Sequence, residues 1–257
     1  MSIKGVFFDL YGTILIPKNN KKAWNNWLIT FYKLMRNNGL KQSRRYFANM
    51  CSSFFTREEP EELDKNLTVY ENRIKRFAVD LDLRLDTLEI KKIANNCVNS
   101  FHKYITIDPE AVPLLKILRN KKSLALITNF DHPSYIYSIL AKYQLMKYFN
   151  CITISGEIGF KKPDPRIFHI TLEQSNLKSQ EVVYIGDSKE DIEGAINVGI
   201  KPILIQRQNF KNRLLGNDYQ SKRKANVKAK EKNKLDLGIV LFKKISRLTE
   251  LYEIIDL

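Results

Sequence analysis

Cysteine is scarce in this chain. Cys51, Cys97 and Cys151 are the only three among 257 residues, odd in number and far apart, with no Cys-x-x-Cys pair. That excludes a disulfide framework and a thiolate zinc site and implies a reducing compartment. Histidine is equally sparse. His102, His132 and His169 show no ligand spacing, so each reads as a surface or structural residue. Long apolar runs are missing too. No stretch approaches the roughly 20 residues of a membrane-spanning helix, and the apolar start is interrupted by Asp9 too early for a signal peptide. A soluble, cytoplasmic protein without a membrane partner is the expectation. Acidic residues are also in deficit: 43 Lys and Arg stand against 28 Asp and Glu, a net charge of +15. Such a balance favours acidic small molecules, nucleic acid or anionic surfaces as partners; a lysine-rich surface without any such role is the plainer alternative.

What is present is a set of four short polar segments in a fixed order. They are Asp9-Leu10-Tyr11-Gly12-Thr13, Thr128-Asn129, Lys162-Pro163-Asp164-Pro165, and Gly186-Asp187-Ser188 with Asp191. Three directly follow apolar runs of buried-strand type: Gly5-Val6-Phe7-Phe8, Leu124-Ala125-Leu126-Ile127 and Val182-Val183-Tyr184-Ile185. The third segment follows Ile152-Thr153-Ile154 after a short loop. Polar groups just past the carboxyl ends of parallel strands are where open α/β sheets carry their sites. The four segments are therefore expected to converge in one crevice.

Residues 16–22 read as a linker, and the pattern is helical from there to Tyr104. Trp24, Trp27, Leu28, Phe31, Leu34 and Met35 recur at three- and four-residue steps and line one face, with Gly39 as a natural stop. Further helices are predicted over 43–55, 61–81 and 86–104. From Asp108-Pro109 onward helix and strand alternate: a helix through Leu114 and Leu118, strands over 123–127, 152–155, 182–185 and 203–205, and a helix opened by Asp131 as cap with Pro133 in its first turn. Alternation of this kind implies an α/β fold with a doubly wound parallel sheet. The run 211–234 is different. It holds nine basic residues against Asp218 and Glu231, with almost no large apolar residue after Tyr219. It reads as a solvated internal excursion outside the crevice, and nucleic acid is the partner such charge would suit. Apolar patterns resume at 239–242 and 248–255.

The four ordered segments resemble the haloacid dehalogenase-like hydrolase (HAD) superfamily, and the resemblance spans nearly the whole chain. It implies a Rossmann-like core from residues 1–16 and 105–257, which includes the excursion 211–234. It also implies an α-helical bundle, 17–104, inserted as a cap that closes over the site and sets specificity; the alternative is extra helices packed flat on one domain. Transfer of a phosphoryl group through an enzyme carboxylate needs a nucleophile, a divalent metal, donors to the phosphoryl oxygens and a proton source. By resemblance Asp9 is the nucleophile, Thr128 donates a hydroxyl and Lys162 brings positive charge to the transferred group. Lys162 is preferred to Lys161 because the family motif reads Lys-Pro-Asp-Pro, in which Asp164-Pro165 only starts a helix. Asn129 offers an amide to substrate, and Gly12 and Thr13 form a tight turn whose backbone N–H groups help bind phosphate. Magnesium prefers hard oxygen ligands. Asp9, Asp187 and the Tyr11 backbone carbonyl are its implied direct ligands, and Asp191 acts on it through water or orients Lys162.

Tyr11 departs from the family's phosphatases, which carry Asp there as general acid and base. A tyrosine with an ordinary pKa of about 10 donates a proton at neutral pH but is a poor base. The family's metal-free 2-haloacid dehalogenases do carry Tyr, yet they replace the first acidic residue of the fourth motif, which this chain retains as Asp187. The expectation is a magnesium-dependent phosphatase of a small phosphorylated metabolite. A dehalogenase acting on a halogenated substrate, or a non-enzymatic binding protein, is the alternative. Tyr11→Asp should then raise alkyl phosphate hydrolysis more than aryl phosphate hydrolysis, because alkoxide leaving groups need a proton most; a positioned acid and base adds about 10²–10⁴-fold. Rates on both ester types at saturating magnesium measure this, and a folded, metal-binding variant with no gain on either would show that position 11 does not limit the rate.

Overall fold

The computed structural model describes residues 2–57, 63–207 and 242–255; the basic run 211–234 lies outside them. In chain order the strands are β1 (Gly5–Phe8), β2 (Leu15–Pro17), β3 (Ile105–Ile107), β4 (Ser123–Thr128), β5 (Cys151–Ile154), β6 (Val182–Gly186), β7 (Lys201–Ile205) and β8 (Lys243–Ile245). The helices are α1 (Asn20–Asn37), α2 (Arg44–Cys51), α3 (Val69–Val79), α4 (Thr87–His102), α5 (Ala111–Arg119), α6 (Pro133–Lys142), α7 (Ser155–Ile158), α8 (Pro165–Ser175), α9 (Lys189–Asn197) and α10 (Leu251–Ile254). No helix among the described residues is long and apolar enough to cross a membrane.

The chain forms two compact units. The first comprises Met1–Leu15, Ile107–Asn129 and Gln144–Leu257, the second Ile16–Thr106 and Phe130–Tyr143. The first unit is built on a six-stranded sheet of order β5-β4-β1-β6-β7-β8, with every adjoining pair parallel. This is the α/β architecture expected from the alternating pattern. Strands apolar along their whole length are buried on both faces, as central strands of parallel sheets are. β1 lies in the middle, Val6 facing Leu124 on one side and Val183 on the other. Phe7, Ala125, Ile127, Phe168 and Tyr184 form part of the core beneath it, and the rings of Phe168 and Tyr184 meet edge to face at 5.2 Å. Because β1, β4 and β6 run in one direction, the segments that follow them emerge at one edge of the sheet.

The second unit is helical and has an aromatic core of its own. Phe31 of α1 meets Phe47, Phe54 and Phe77 at ring distances of 5.1, 5.6 and 5.4 Å. The Trp27 indole N–H donates to the Tyr70 hydroxyl at 2.8 Å, which satisfies a buried donor. Both α3 and α4 start with reciprocal capping boxes, Thr68 with Glu71 and Asp86 with Glu89. These four helices form the insertion expected after the first strand.

Several boundaries differ from expectation. Residues 16–22 are not a linker: Ile16 and Pro17 belong to β2, which pairs with β3, and Asn20 already starts α1. Strands of three residues are too short to show a period. Of the predicted helix 61–81, residues 61–62 lie outside the described residues, and α3 starts at Val69, since the Thr68 capping box is a start signal inside the run. Asp131 does not cap α6. The N-cap is His132, whose side chain makes no capping bond, and the Asp131 carboxylate pairs with Arg73 at 3.2 Å. Ser155 opens the one-turn helix α7 rather than ending β5.

His102, buried in the helical unit, stacks on Tyr135 at 4.5 Å. Burial pulls its pKa down to about 4; a hydrogen bond to the Val98 backbone opposes the shift and the Lys142 charge adds to it. The fold thus favours neutral imidazole. The stability this contributes is complete above the unfolded value of about 6.5 and is lost as the pH falls toward the folded value. Denaturant unfolding should show wild type losing roughly 1–2 kcal/mol more than His102→Gln between about pH 7 and about pH 5. Parallel losses in the two proteins would contradict this.

Candidate active site

Asp9 is the first residue past β1. Its backbone N–H still donates to Ile185 O at 2.8 Å, so the side chain is aimed by the end of the ladder. The residue is only 5% exposed. Oδ1 accepts from the Lys162 ammonium at 2.7 Å, while Oδ2 is buried with no hydrogen-bond partner among the described residues. Lys162 is equally buried. Its three N–H groups are spread over four acceptors: Asp9 Oδ1 at 2.7 Å, Asp191 Oδ1 at 2.7 Å, the Tyr184 hydroxyl at 3.0 Å and the Ile127 carbonyl at 3.1 Å. Arrival from a loop would leave such a lysine loose. Asn129 prevents this: its Oδ1 accepts from the Lys162 backbone N–H at 2.8 Å, and its Nδ2 donates to the Lys162 carbonyl at 3.0 Å.

Asp191 lies in the first turn of α9, as the spacing from Asp187 requires. Its carboxylate takes five donors. Lys162 and the Tyr184 hydroxyl reach Oδ1; the backbone N–H groups of Asp187 and Ser188 and the Ser188 hydroxyl reach Oδ2. Gly186 permits this approach, for a Cβ there would stand 2.4 Å from Asp191 Cβ and Cγ. Oxygen atoms of Asp9, Asp187 and Asp191 lie within 4.8 Å of one another. Thr128 ends β4 with its hydroxyl buried and unpartnered among the described residues, and the Thr13 hydroxyl is in the same state. Gly12 takes a left-handed φ of +92°, and its N–H donates to Leu15 O at 2.6 Å. Tyr11 is half-buried and bridges to Leu15.

Electrostatics separates the two carboxylates that share Lys162. Burial raises the Asp9 pKa to about 7; Lys162 opposes this, and the charges of Asp191 and Asp187 reinforce it. Burial also acts to raise Asp191, but the Lys162 charge and the hydrogen bonds from Lys162, Ser188 and Tyr184 overcome it and hold that group below the usual carboxylate range. Lys162 itself is raised, since Asp191 and Asp9 outweigh its desolvation.

The four segments singled out in the sequence thus meet at one sheet edge. Two residues given no role in the sequence reading also take part, Tyr184 from outside the segments and Ser188 from within the fourth. The only sequence signal for Tyr184 is a hydroxyl in an otherwise apolar strand, whereas Ser188 stands inside the quoted motif and its Oγ both caps α9 and donates to Asp191. The family profile described as "Hydrolase: haloacid dehalogenase-like hydrolase" matches residues 3–199. The chain belongs to this family. Among curated relatives of this HAD-like hydrolase is the pyrimidine 5'-nucleotidase YjjG of Escherichia coli, 34% identical over 116 residues, covering 44% of this chain and 51% of that one. The phosphoserine phosphatase of Thermus thermophilus is 34% identical over 101 residues, covering 38% and 40%. The matches thus span about half the length of these relatives or less. Among solved structures, an HAD phosphatase from Thermococcus onnurineus shares the fold at a TM-score of 0.63 and 23% identity, covering 98% of this chain and 97% of that one. A 2-haloacid dehalogenase from Pseudomonas syringae does so at 0.64 and 20%, covering 99% and 98%.

The donor set fits a hard divalent cation. Three carboxylates converge, and Asp9 Oδ2 is an orphaned buried anion, which costs free energy unless a cation or donor meets it. Asp191 has both oxygens committed within the fold, so a cation here would be held by Asp9 together with Asp187.

Lys162→Met should destabilise the protein by about 3–5 kcal/mol, because it strands two buried carboxylates without their shared cation. Urea unfolding at neutral pH in a chelator measures it; a loss below about 1 kcal/mol would mean that the pair contributes nothing the apolar side chain cannot replace.

Proposed function

We propose that this HAD-like hydrolase is a magnesium-dependent phosphatase of a small phosphorylated metabolite, working through an aspartyl-phosphate on Asp9. The observation that carries the proposal is the state of the Asp9 carboxylate: Oδ1 is held by Lys162 and Oδ2 is buried and unpartnered, within reach of Asp187. A nucleophile needs one oxygen anchored and one available. The relatives named as a nucleotidase and as phosphatases of phosphoserine, phosphorylated carbohydrates and glyceraldehyde 3-phosphate support a small phosphate ester as substrate.

In the first step an Asp9 oxygen forms a bond to phosphorus as the ester P–O bond breaks, and the leaving oxygen takes a proton. In the second, water attacks the phosphorus as the bond to the Asp9 oxygen breaks, and its proton passes to the Tyr11 phenolate left by the first step, which releases inorganic phosphate and restores Asp9 and Tyr11. Lys162 offsets the negative charge that Asp9 and the transferred group bring together. The Thr128 hydroxyl, buried without a partner among the described residues, is the donor to a phosphoryl oxygen, and the Gly12–Thr13 turn contributes backbone N–H. Asn129 serves by holding the Lys162 backbone and Asp191 by fixing the Lys162 ammonium. Asp9, Asp187 and the Tyr11 carbonyl would hold the magnesium ion, which would supply positive charge against the phosphoryl oxygens. Tyr11 is the proton donor to the leaving group, which suits aryl and acyl phosphates whose leaving groups need it least. Residues 17–104 are the cap that selects the substrate, and the cytoplasm is the site of action.

Tyr11 also favours a second reading, a metal-independent 2-haloacid dehalogenase in which Asp9 attacks carbon and halide departs without a proton. A hydrolysis panel of aryl and alkyl phosphates and 2-haloacids, with magnesium and with EDTA, separates the two. The phosphatase should hydrolyse aryl phosphates only with magnesium, and Asp9→Asn should lose several orders of magnitude in rate. Full turnover of a 2-haloacid in EDTA would overturn the proposal.

A further inference from the structure

The turn that carries Asp9, Tyr11 and Thr13 is gripped from outside the four motifs by one arginine. Arg207 lies two residues past β7, and its side chain is 11% exposed. One guanidinium nitrogen donates to Gly12 O; another donates to Thr13 O at 2.8 Å and to the Asp108 carboxylate. Asp108 is itself anchored to both neighbours. Its N–H donates to Ile14 O at 2.9 Å, and its Oδ1 accepts from the Glu110 N–H at 2.8 Å at the start of α5.

Peptide planarity turns these bonds into a constraint on the whole turn. In a trans peptide the C=O of one residue and the N–H of the next point in opposite directions. The Tyr11–Gly12 plane is set by Gly12 N–H donating to Leu15 O, which turns the Tyr11 carbonyl away from Leu15. Among the described residues, the Gly12–Thr13 plane is set only by Arg207. Drawing Gly12 O toward the guanidinium turns the Thr13 N–H to the opposite side, and among the described residues that N–H donates to nothing. The Thr13–Ile14 plane is held twice, by Arg207 on Thr13 O and by Ile14 N–H donating to Leu10 O at 3.0 Å. A bidentate guanidinium can span two successive carbonyls, which a lysine ammonium cannot match in fixed geometry.

We infer that Arg207, seated on Asp108, is a positioning residue for the catalytic turn: it sets the Gly12–Thr13 peptide so that the Thr13 N–H is presented to the phosphoryl group. The inference rests on the phosphatase reading for its kinetic consequence, and on geometry alone for its structural one.

The test uses Arg207→Met, Arg207→Lys and the double variant Arg207→Met with Asp108→Asn, which removes the stranded carboxylate should the single variant fold poorly. On aryl phosphate with magnesium, Arg207→Met should lose about 10²-fold in kcat with KM within about threefold, the signature of misplaced reacting groups rather than lost binding. Arg207→Lys should recover the thermal midpoint by pairing with Asp108 yet leave kcat at least about tenfold down. Amide hydrogen exchange is read alongside and needs no turnover. Gly12 and Ile14 should exchange about ten- to a hundredfold faster in a folded Met variant, while amides of β4 stay protected. A folded Met or double variant with wild-type kcat, or a Lys variant that recovers rate together with stability, would overturn the inference. If wild type hydrolyses no phosphate ester, the proposed function fails, and unchanged exchange at Gly12 and Ile14 then overturns the positioning role on its own.

Discussion

The unit that carries the candidate site is organised around one buried ammonium. Removing a charge from water is offset only when its partners are complete and well placed. Lys162 therefore imposes conditions on several strand ends at once: Asp9 past β1, the Ile127 carbonyl in β4, the Tyr184 hydroxyl in β6 and Asp191 in α9. Further details follow from that requirement. Asn129 holds the backbone that delivers the lysine, and Gly186 has no Cβ because Asp191 must come close. The packing of the sheet and the chemistry of its edge are thus one problem with one solution.

The same cation treats its two carboxylates differently, and the difference comes from what else they touch. Asp191 has donors on both oxygens, remains ionised and is a fixture of the fold. Asp9 has one oxygen anchored and one buried without a partner among the described residues, and desolvation raises its pKa to about 7. A buried anion left half-satisfied in this way is costly for stability and useful for reactivity. Family members divide labour between carboxylates by position in a motif; here the hydrogen-bond inventory gives that division a physical basis.

Much of the site is legible in the amino-acid sequence because its signals are local. An Asp ending the apolar run of β1, a hydroxyl ending β4 and an Asp-x-x-x-Asp pair opening a helix after β6 each announce themselves within ten residues. The parallel sheet is legible for the same reason, as fully apolar strand runs alternate with helices. Short or conditional features are not: β2 has three residues, Asp131 looks like a cap until Arg73 takes it, and the capping box at Thr68 divides what reads as one helix.

By itself the sequence determined the identity and order of the candidate site residues and the strands that carry them, since period and motif spacing are properties of neighbours along the chain. Only the tertiary structure decided the division of roles: that Asn129 serves Lys162 rather than standing open, that Tyr184 joins the ammonium's shell, that Asp191 is saturated while Asp9 is not, and that Arg207 reaches back to Gly12 and Thr13. Lys162 and Tyr184 lie 22 positions apart, Arg207 and Gly12 195. Such pairings depend on which strand ends the sheet brings together, and no local pattern encodes them.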